Sequence, residues 1–320
     1  MDLSVINSEI NLNINLIDDW LKDSEISENS RETYEKGIKI YINYLQDNGL
    51  VSSRSTIIDF KNYAMERYSN ATAYIYLSSI KSLYRYLERS YGIVNVARDV
   101  KLPKISKGFK KDCLTLDQVY ELLDSLEENT LKQMRDKVMV NMFIRCGLRC
   151  CELRNANIED IRTIDGIKVL YIKGKGHDEK DEYVVITDET LKLVDKYLSM
   201  RKDYIDKSPL IASCGNRSYG GRLDSSTIRY VCKRYLKNIG ICSNRLTTHS
   251  FRHTAISLCI IAGSSLLDVK DYARHTDINT TLKYIHNLKR LENAPELKLD
   301  EFLKNNTPKK DENISWFSSF

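Results

Sequence analysis

The chain has 320 residues, a formal net charge of +5 and a pI near 8.6, with 42% hydrophobic and 29% charged residues. That length accommodates two domains, and the apolar fraction supports a real core. No apolar run approaches the roughly 20 residues that span a bilayer. The start, Met1-Asp2-Leu3-Ser4-Val5, lacks the basic and apolar stretches of a secretory signal, so a cytoplasmic protein with no membrane partner is expected. The positive balance permits a nucleic-acid partner without identifying one, so the placement of the charges must decide.

Eight cysteines are present. Cys150 and Cys151 are adjacent, while Cys113, Cys146, Cys214, Cys232, Cys242 and Cys259 are scattered. No C-x-x-C pair occurs, which argues against a zinc site, and nothing suggests an oxidising compartment. Buried free thiols and no bound metal are the expectation.

The few prolines and glycines, with apolar residues recurring at helical spacing, predict a mainly α fold. Residues 1–104 read as a helical domain. Asn29 with Glu32 suits a helix start, and Tyr34, Ile38, Tyr41 and Leu45 then fall on one face. Asn70 suits a second helix cap, followed by an apolar stripe of Ala73, Leu77, Ile80, Tyr84 and Leu87. On the same helix Lys81, Arg85 and Arg89 form a basic stripe, either a solvated face or a surface that meets DNA phosphates. Residues 105–112 read as a basic linker carrying Lys107, Lys110 and Lys111.

Residues 113–320 read as a second domain. Thr115-Leu116-Asp117-Gln118 has the form of a capping box, and a further helix runs from Val138 to Ile144, ending near Gly147-Leu148-Arg149. Asp165-Gly166 is a tight-turn dipeptide. Val169–Ile172 and Tyr183–Ile186 predict two strands of a small antiparallel sheet around a polar loop, and helix returns from Thr187.

Five segments carry chemistry: Gly147-Leu148-Arg149 followed by Glu152, Gly174-Lys175-Gly176 in the hairpin loop, His249-Ser250-Phe251-Arg252, Ala273-Arg274-His275, and Tyr284. Arginine offers paired hydrogen bonds to phosphate oxygens. A phenol, with an ordinary pKa near 10, needs a proton acceptor to become a nucleophile. Each residue alone has an ordinary reading as surface charge, helix cap or one of 20 tyrosines, so the combination and its order carry the weight.

In that order the set resembles the tyrosine recombinase and integrase family. The match covers about Cys113 to Leu291, and the helical first part resembles the family's core-binding domain. The resemblance implies a two-domain architecture that clamps DNA. It implies a site made of Arg149, Lys175, His249, Arg252, His275 and the nucleophile Tyr284, with Glu152 as a brace or merely a turn cap. His249 is then the proton acceptor and Lys175 the acid for the departing 5′ oxygen, with Lys173 or Lys180 as its substitutes. His275 binds phosphate or orients the site. The product is a 3′-phosphotyrosyl link formed without ATP, metal or other cofactor. Family members commonly carry Leu-Gly before the second histidine, where this chain has Ala273-Arg274, and Cys151 stands where serine is frequent.

The partner implied is double-stranded DNA, with a dimer on each site and a tetramer in synapsis. Leu291, Leu297, Leu299, Phe302 and Leu303 are expected to form an apolar helix that docks on a neighbouring subunit or folds back on its own chain. Two alternatives share part of this signature: DNA relaxation of the type IB topoisomerase kind, and DNA binding without catalysis. Supercoil relaxation without a recombination site identifies the first, and failure to form a covalent adduct the second.

Overall fold

A computed structural model describes residues 16–24, 26, 28–105, 113–174, 179–202, 204–243, 245–292 and 294–306. It divides into two compact units, Met1–Gly108 and Phe109–Phe320.

The first unit is built from α1 (Leu16–Asp23), α2 (Glu28–Asp47), α3 (Arg54–Arg67) and α4 (Asn70–Tyr91). The apolar stripes meet as expected. Ile38, Tyr41 and Leu45 of α2 are buried with Ala73, Leu77, Ile80, Tyr84 and Leu87 of α4, while Tyr34 packs at the edge. The two buried tyrosines need partners for their hydroxyls, and Ser52 serves both, at 2.5 Å from Tyr41 and 2.6 Å from Tyr84. The cap of α4 is Ser69, whose hydroxyl accepts from the Thr72 amide, and not Asn70, which is the first helical residue. The two polar residues are adjacent, and serine in an extended conformation takes the role.

The second unit holds α5 (Leu116–Asp124), α6 (Leu131–Arg145), α7 (Cys150–Asn155), β1 (Ile161–Ile164), β2 (Ile167–Ile172) and β3 (Glu182–Val185). It continues with α8 (Asp188–Met200), α9 (Ser225–Asn238), α10 (Thr248–Ile261), α11 (Leu266–Ala273), α12 (Ile278–Glu292) and α13 (Pro295–Asn305). The predicted capping box of α5 is present, with Thr115 and Gln118 bonded reciprocally. Helix α6 is its central element and packs on α8 and α10. It starts at Leu131, behind a Thr130–Gln133 box, well before the Val138 expected from sequence. Met134, Val138, Met139, Val140, Met142 and Phe143 are buried on all sides of it, so no polar face marks its length.

The sheet is antiparallel in the order β1-β2-β3, with Ile164 opposite Ile167 and Leu170 opposite Val184. Asp165 and Gly166 both take positive φ, which a two-residue hairpin of this hand requires. Strand β1 lies outside the strands expected from sequence, because Ile161-Arg162-Thr163-Ile164 has two adjacent polar residues and no apolar alternation.

The expectation of buried thiols holds for Cys146 and Cys232 only. Cys113, Cys151 and Cys242 are exposed, the remaining three are intermediate, and all eight are free.

One buried charge fixes the centre of this unit. Asp136 is fully buried on α6, with Arg135 at 2.6 Å and Arg234 of α9 at 2.7 Å from its two oxygens. Asp136→Ala leaves the buried Arg135 without a counter-charge. It is expected to lower unfolding free energy by about 3–5 kcal/mol, measured as the urea midpoint, and an unchanged midpoint would contradict the arrangement.

Candidate active site

The site begins at the turn after α6. Gly147 has φ +57, and a Cβ there would lie 2.7 Å from the Tyr272 hydroxyl, so both backbone conformation and space demand glycine. The turn buries Leu148 and delivers Arg149 to the start of α7. Glu152, three residues into the motif, accepts the Arg149 backbone N–H at 2.6 Å, which is the return half of a capping box. The cap is not on the surface: Glu152 is buried.

Three guanidinium groups converge on this carboxylate. Arg149 Nη1 donates to Oε1 at 2.5 Å and Arg274 Nη2 to Oε2 at 2.8 Å, while Arg252 Nη1 lies 4.0 Å from Oε2. Carbonyl oxygens take most of the remaining donors, while the buried Nε of Arg274 has no hydrogen-bond partner. Gly147 O accepts from Arg252 Nη1 at 2.6 Å and from Arg274 Nη2 at 3.0 Å. Ala273 O accepts from Arg252 Nη2, Tyr272 O from Arg274 Nη1 at 2.7 Å, and Arg274 O from Arg149 Nη2 at 3.1 Å. These last three carbonyls form the C-terminal end of α11, the negative pole of that helix. Burial, with Arg274 and Arg149 beside it, lowers the Arg252 pKa to about 10, still charged at neutral pH. Burial alone would raise the Glu152 pKa, but Arg274, the Arg149 amide and guanidinium, and Arg252 together hold it below the usual value. Three positive charges against one negative leave a surplus that suits an anion.

Helix α11 ends on Arg274 in the left-handed region, φ +49 and ψ +51, which costs an L residue about 1–2 kcal/mol. Backbone bonds from Arg274 to Asp271 O and from His275 to Lys270 O close the turn and bring His275 to the site. His275 Nδ1 lies 2.9 Å from the Thr281 hydroxyl, which leaves Nε2 as the ring's other hydrogen-bonding atom. Its pKa falls to about 4 from 6.5, through burial and then the positive charges of Arg252, Arg149 and Arg274. The imidazole is therefore neutral at pH 7.

Tyr284 of α12 is buried against Ile256, Val269 and Ala273, and its ring stacks on His275 with centroids 6.1 Å apart. Its hydroxyl is hydrogen-bonded to Nδ1 of His253. Burial raises the phenol's pKa above its ordinary value, more than Arg252 and Arg149 lower it. His249, expected to accept the proton, is exposed on α10 and sits edge-on to His253 with ring centroids 4.4 Å apart. The spacing of His249 and His253, one helical turn apart, carried the signal for the second histidine.

Arg149, Glu152, His249, Arg252, His275 and Tyr284 thus come together, joined by His253 and Arg274. Lys175 lies outside the described residues, as do Lys107, Lys110 and Lys111. Lys180 is ion-paired with Asp160. Within the first unit Lys81 donates to Arg98 O at 2.7 Å and Val100 O at 2.9 Å, and Arg89 pairs with Asp23. Arg85 is exposed. Among the described residues no helix is long and apolar enough to cross a membrane.

Residues 112–290 match the "Phage integrase family", and residues 16–90 match "Phage integrase, N-terminal SAM-like domain". Tyrosine recombinase XerC of Thermodesulfovibrio yellowstonii is 29% identical over 66% of this chain and 69% of its own. Tyrosine recombinase XerD of Oceanobacillus iheyensis is 28% identical over 82% of this chain and 88% of its own. The fold is that of XerH site-specific recombinase solved bound to a palindromic difH substrate, with TM-score 0.69 and 20% identity over 83% of this chain and 78% of that one.

The depressed His275 pKa is directly measurable. Its imidazole is expected to titrate near pH 4 by two-dimensional NMR. Because the folded value lies below the ordinary imidazole value of 6.5, this group's contribution to stability is complete above pH 6.5 and is lost as pH falls toward 4. A titration midpoint at or above 6.5 would show that neither burial nor the surplus positive charge acts on this ring as described.

Proposed function

This chain belongs to the phage integrase family, and from that premise we propose that it is a site-specific tyrosine recombinase that cleaves and rejoins double-stranded DNA through Tyr284. The observation that carries the reading is a tyrosine hydroxyl on an imidazole beside a buried surplus of guanidinium charge.

In the first step Tyr284 Oη attacks phosphorus and the bond to the 5′ oxygen breaks, leaving a 3′-phosphotyrosyl link and a free 5′ hydroxyl. Arg149 and Arg252 hold the non-bridging oxygens, on which negative charge grows. His253 accepts the phenolic proton in this arrangement, with His249 as its neighbour in the relay. His275 contributes Nε2, and Lys175 supplies the proton to the departing oxygen. Because the covalent link stores the energy of the broken bond, the 5′ hydroxyl of a second duplex reverses the chemistry and exchanges strands. Residues 1–104 and 113–320 act as the two halves of a clamp joined by the basic linker. Arg85, Lys107, Lys110 and Lys111 meet phosphates, and Lys81 and Arg89 join them by exchanging their present partners for DNA.

Helix α13 supports assembly. Leu297, Leu299, Phe302 and Leu303 are 56–65% exposed, and no residue of the helix is buried. The proposed occupant of that face is a neighbouring subunit, giving a dimer on each site and a tetramer in synapsis. Leu291 lies on α12, and its side chain is outside those described.

A duplex nicked near the cleavage point is expected to trap the wild-type chain covalently. Tyr284→Phe abolishes trapping, and Arg149→Ala or Arg252→Ala slows it about 10²–10³-fold. Undiminished trapping by Tyr284→Phe would place the nucleophile elsewhere. Truncation at Asn293 is expected to leave a folded, DNA-binding chain that no longer forms tetramers on DNA. Tetramers of the truncated chain, seen by analytical ultracentrifugation, would remove α13 from the assembly.

A further inference from the structure

Arg274 stands at a position where the backbone prefers glycine. Its φ of +49 is costly for any side chain with a Cβ, and glycine would close the same helix end without strain. The side chain nonetheless turns inward, only 5% exposed, and is held by three oxygens on two different segments. Position 274 is therefore not read by the protein as a turn alone.

Its contacts are those of the two arginines proposed to hold the phosphate. Glu152 Oε2, which receives Arg274 Nη2 at 2.8 Å, also accepts the Arg149 amide. Gly147 O, which receives Arg274 Nη2 at 3.0 Å, also accepts Arg252 Nη1. The carbonyl of Arg274 itself accepts Arg149 Nη2. Main chain and side chain of one residue thus grip Arg149 from two directions and share an acceptor with Arg252.

Glu152 explains why that grip matters. Its Oε2 lies 4.0 Å from Arg252 Nη1, an ion pair at full stretch and a short side-chain movement from a direct hydrogen bond. Such a bond would tie the Arg252 guanidinium to a carboxylate and set it in competition with a phosphate for the same donors. Arg274 fills the free side of Oε2 and keeps the carboxylate turned toward Arg149.

We propose that Arg274 is a positioning residue of the transesterification, occupying Glu152 and the Gly147 carbonyl so that Arg149 and Arg252 keep the geometry that receives the phosphate. This rests on the recombinase reading above. It adds a third guanidinium that touches neither phosphate nor nucleophile and acts through Glu152.

The test uses the full-length chain and a suicide duplex. Lightly nicked genomic fragments from cells carrying the gene are offered as a pool, covalent complexes are recovered, and the sequence found is rebuilt as a nicked duplex. Single-turnover trapping is then measured for wild type, Arg274→Gly, Arg274→Lys, Glu152→Gln and the Arg274→Gly/Glu152→Gln double variant. Arg274→Gly is expected to trap about 10–100-fold more slowly, with duplex affinity within about twofold of wild type and a melting temperature unchanged or higher, because glycine relieves the backbone. Arg274→Lys, keeping one charged donor, is expected to recover part of the rate. In the Glu152→Gln background the Arg274→Gly change is expected to matter less than about twofold, the non-additivity of two residues acting as one unit.

Failure of the wild type to trap any duplex defeats the recombinase reading itself. With wild-type trapping in hand, an Arg274→Gly rate equal to wild type overturns the positioning role, and so do additive losses in the double variant. A fall in melting temperature large enough to explain the lost rate makes Arg274 a brace of the fold and overturns it equally.

Discussion

A single buried carboxylate organises the site. Guanidinium groups repel one another, and burying three together is unfavourable unless their donors are satisfied and part of their charge is cancelled. Glu152 supplies the cancellation, while the carbonyls at the end of α11 and at Gly147 supply the acceptors. The outcome is a cluster whose hydrogen bonds are largely met but whose charge is not. Such a surplus suits an anion with several oxygens.

The same arrangement ties distant parts of the second unit together. Arg149 comes from the turn after α6, Arg252 from α10, and Arg274 from the end of α11. Each bonds to the backbone of a segment other than its own, so the position of each guanidinium is set by a distant part of the chain. Burial of Phe143 against Phe251 supports that placement from the apolar side, with ring centroids 6.3 Å apart. Packing and polar contacts agree on one geometry here, which is the condition for a pre-organised site.

Much of this was legible in the sequence, and the failures have physical causes. The stripes of α2 and α4 are one-sided, so periodicity found them. The start of α6 carries Lys132, Gln133, Arg135, Asp136 and Lys137 and shows no apolar stripe, although its Thr130–Gln133 box was there to be read. Order and spacing of Arg149, Arg252, His275 and Tyr284 were enough to expect these side chains in one place, and the fold does bring them together. Which imidazole meets the phenol was not, because His249 and His253 share a helix face and only tertiary packing leaves one exposed and buries the other. Arg274 was noticed as a departure at a helix end. Its inward course depends on Glu152 and Gly147, more than a hundred residues away in the chain, and no local pattern reports that. The basic stripe of α4 was visible as a pattern, but not the engagement of Lys81 and Arg89 with their own unit.

The protonation of Tyr284 in the free protein has a consequence for readiness. A phenolate among these arginines would itself be the oxyanion they are built to hold, and an arriving backbone would have to displace it. Burial disfavours that charged form, and the hydroxyl is hydrogen-bonded to Nδ1 of His253 instead. The guanidinium groups therefore keep Glu152 as their counter-charge, and the phenol oxygen adds no second anion that an arriving phosphate would have to displace.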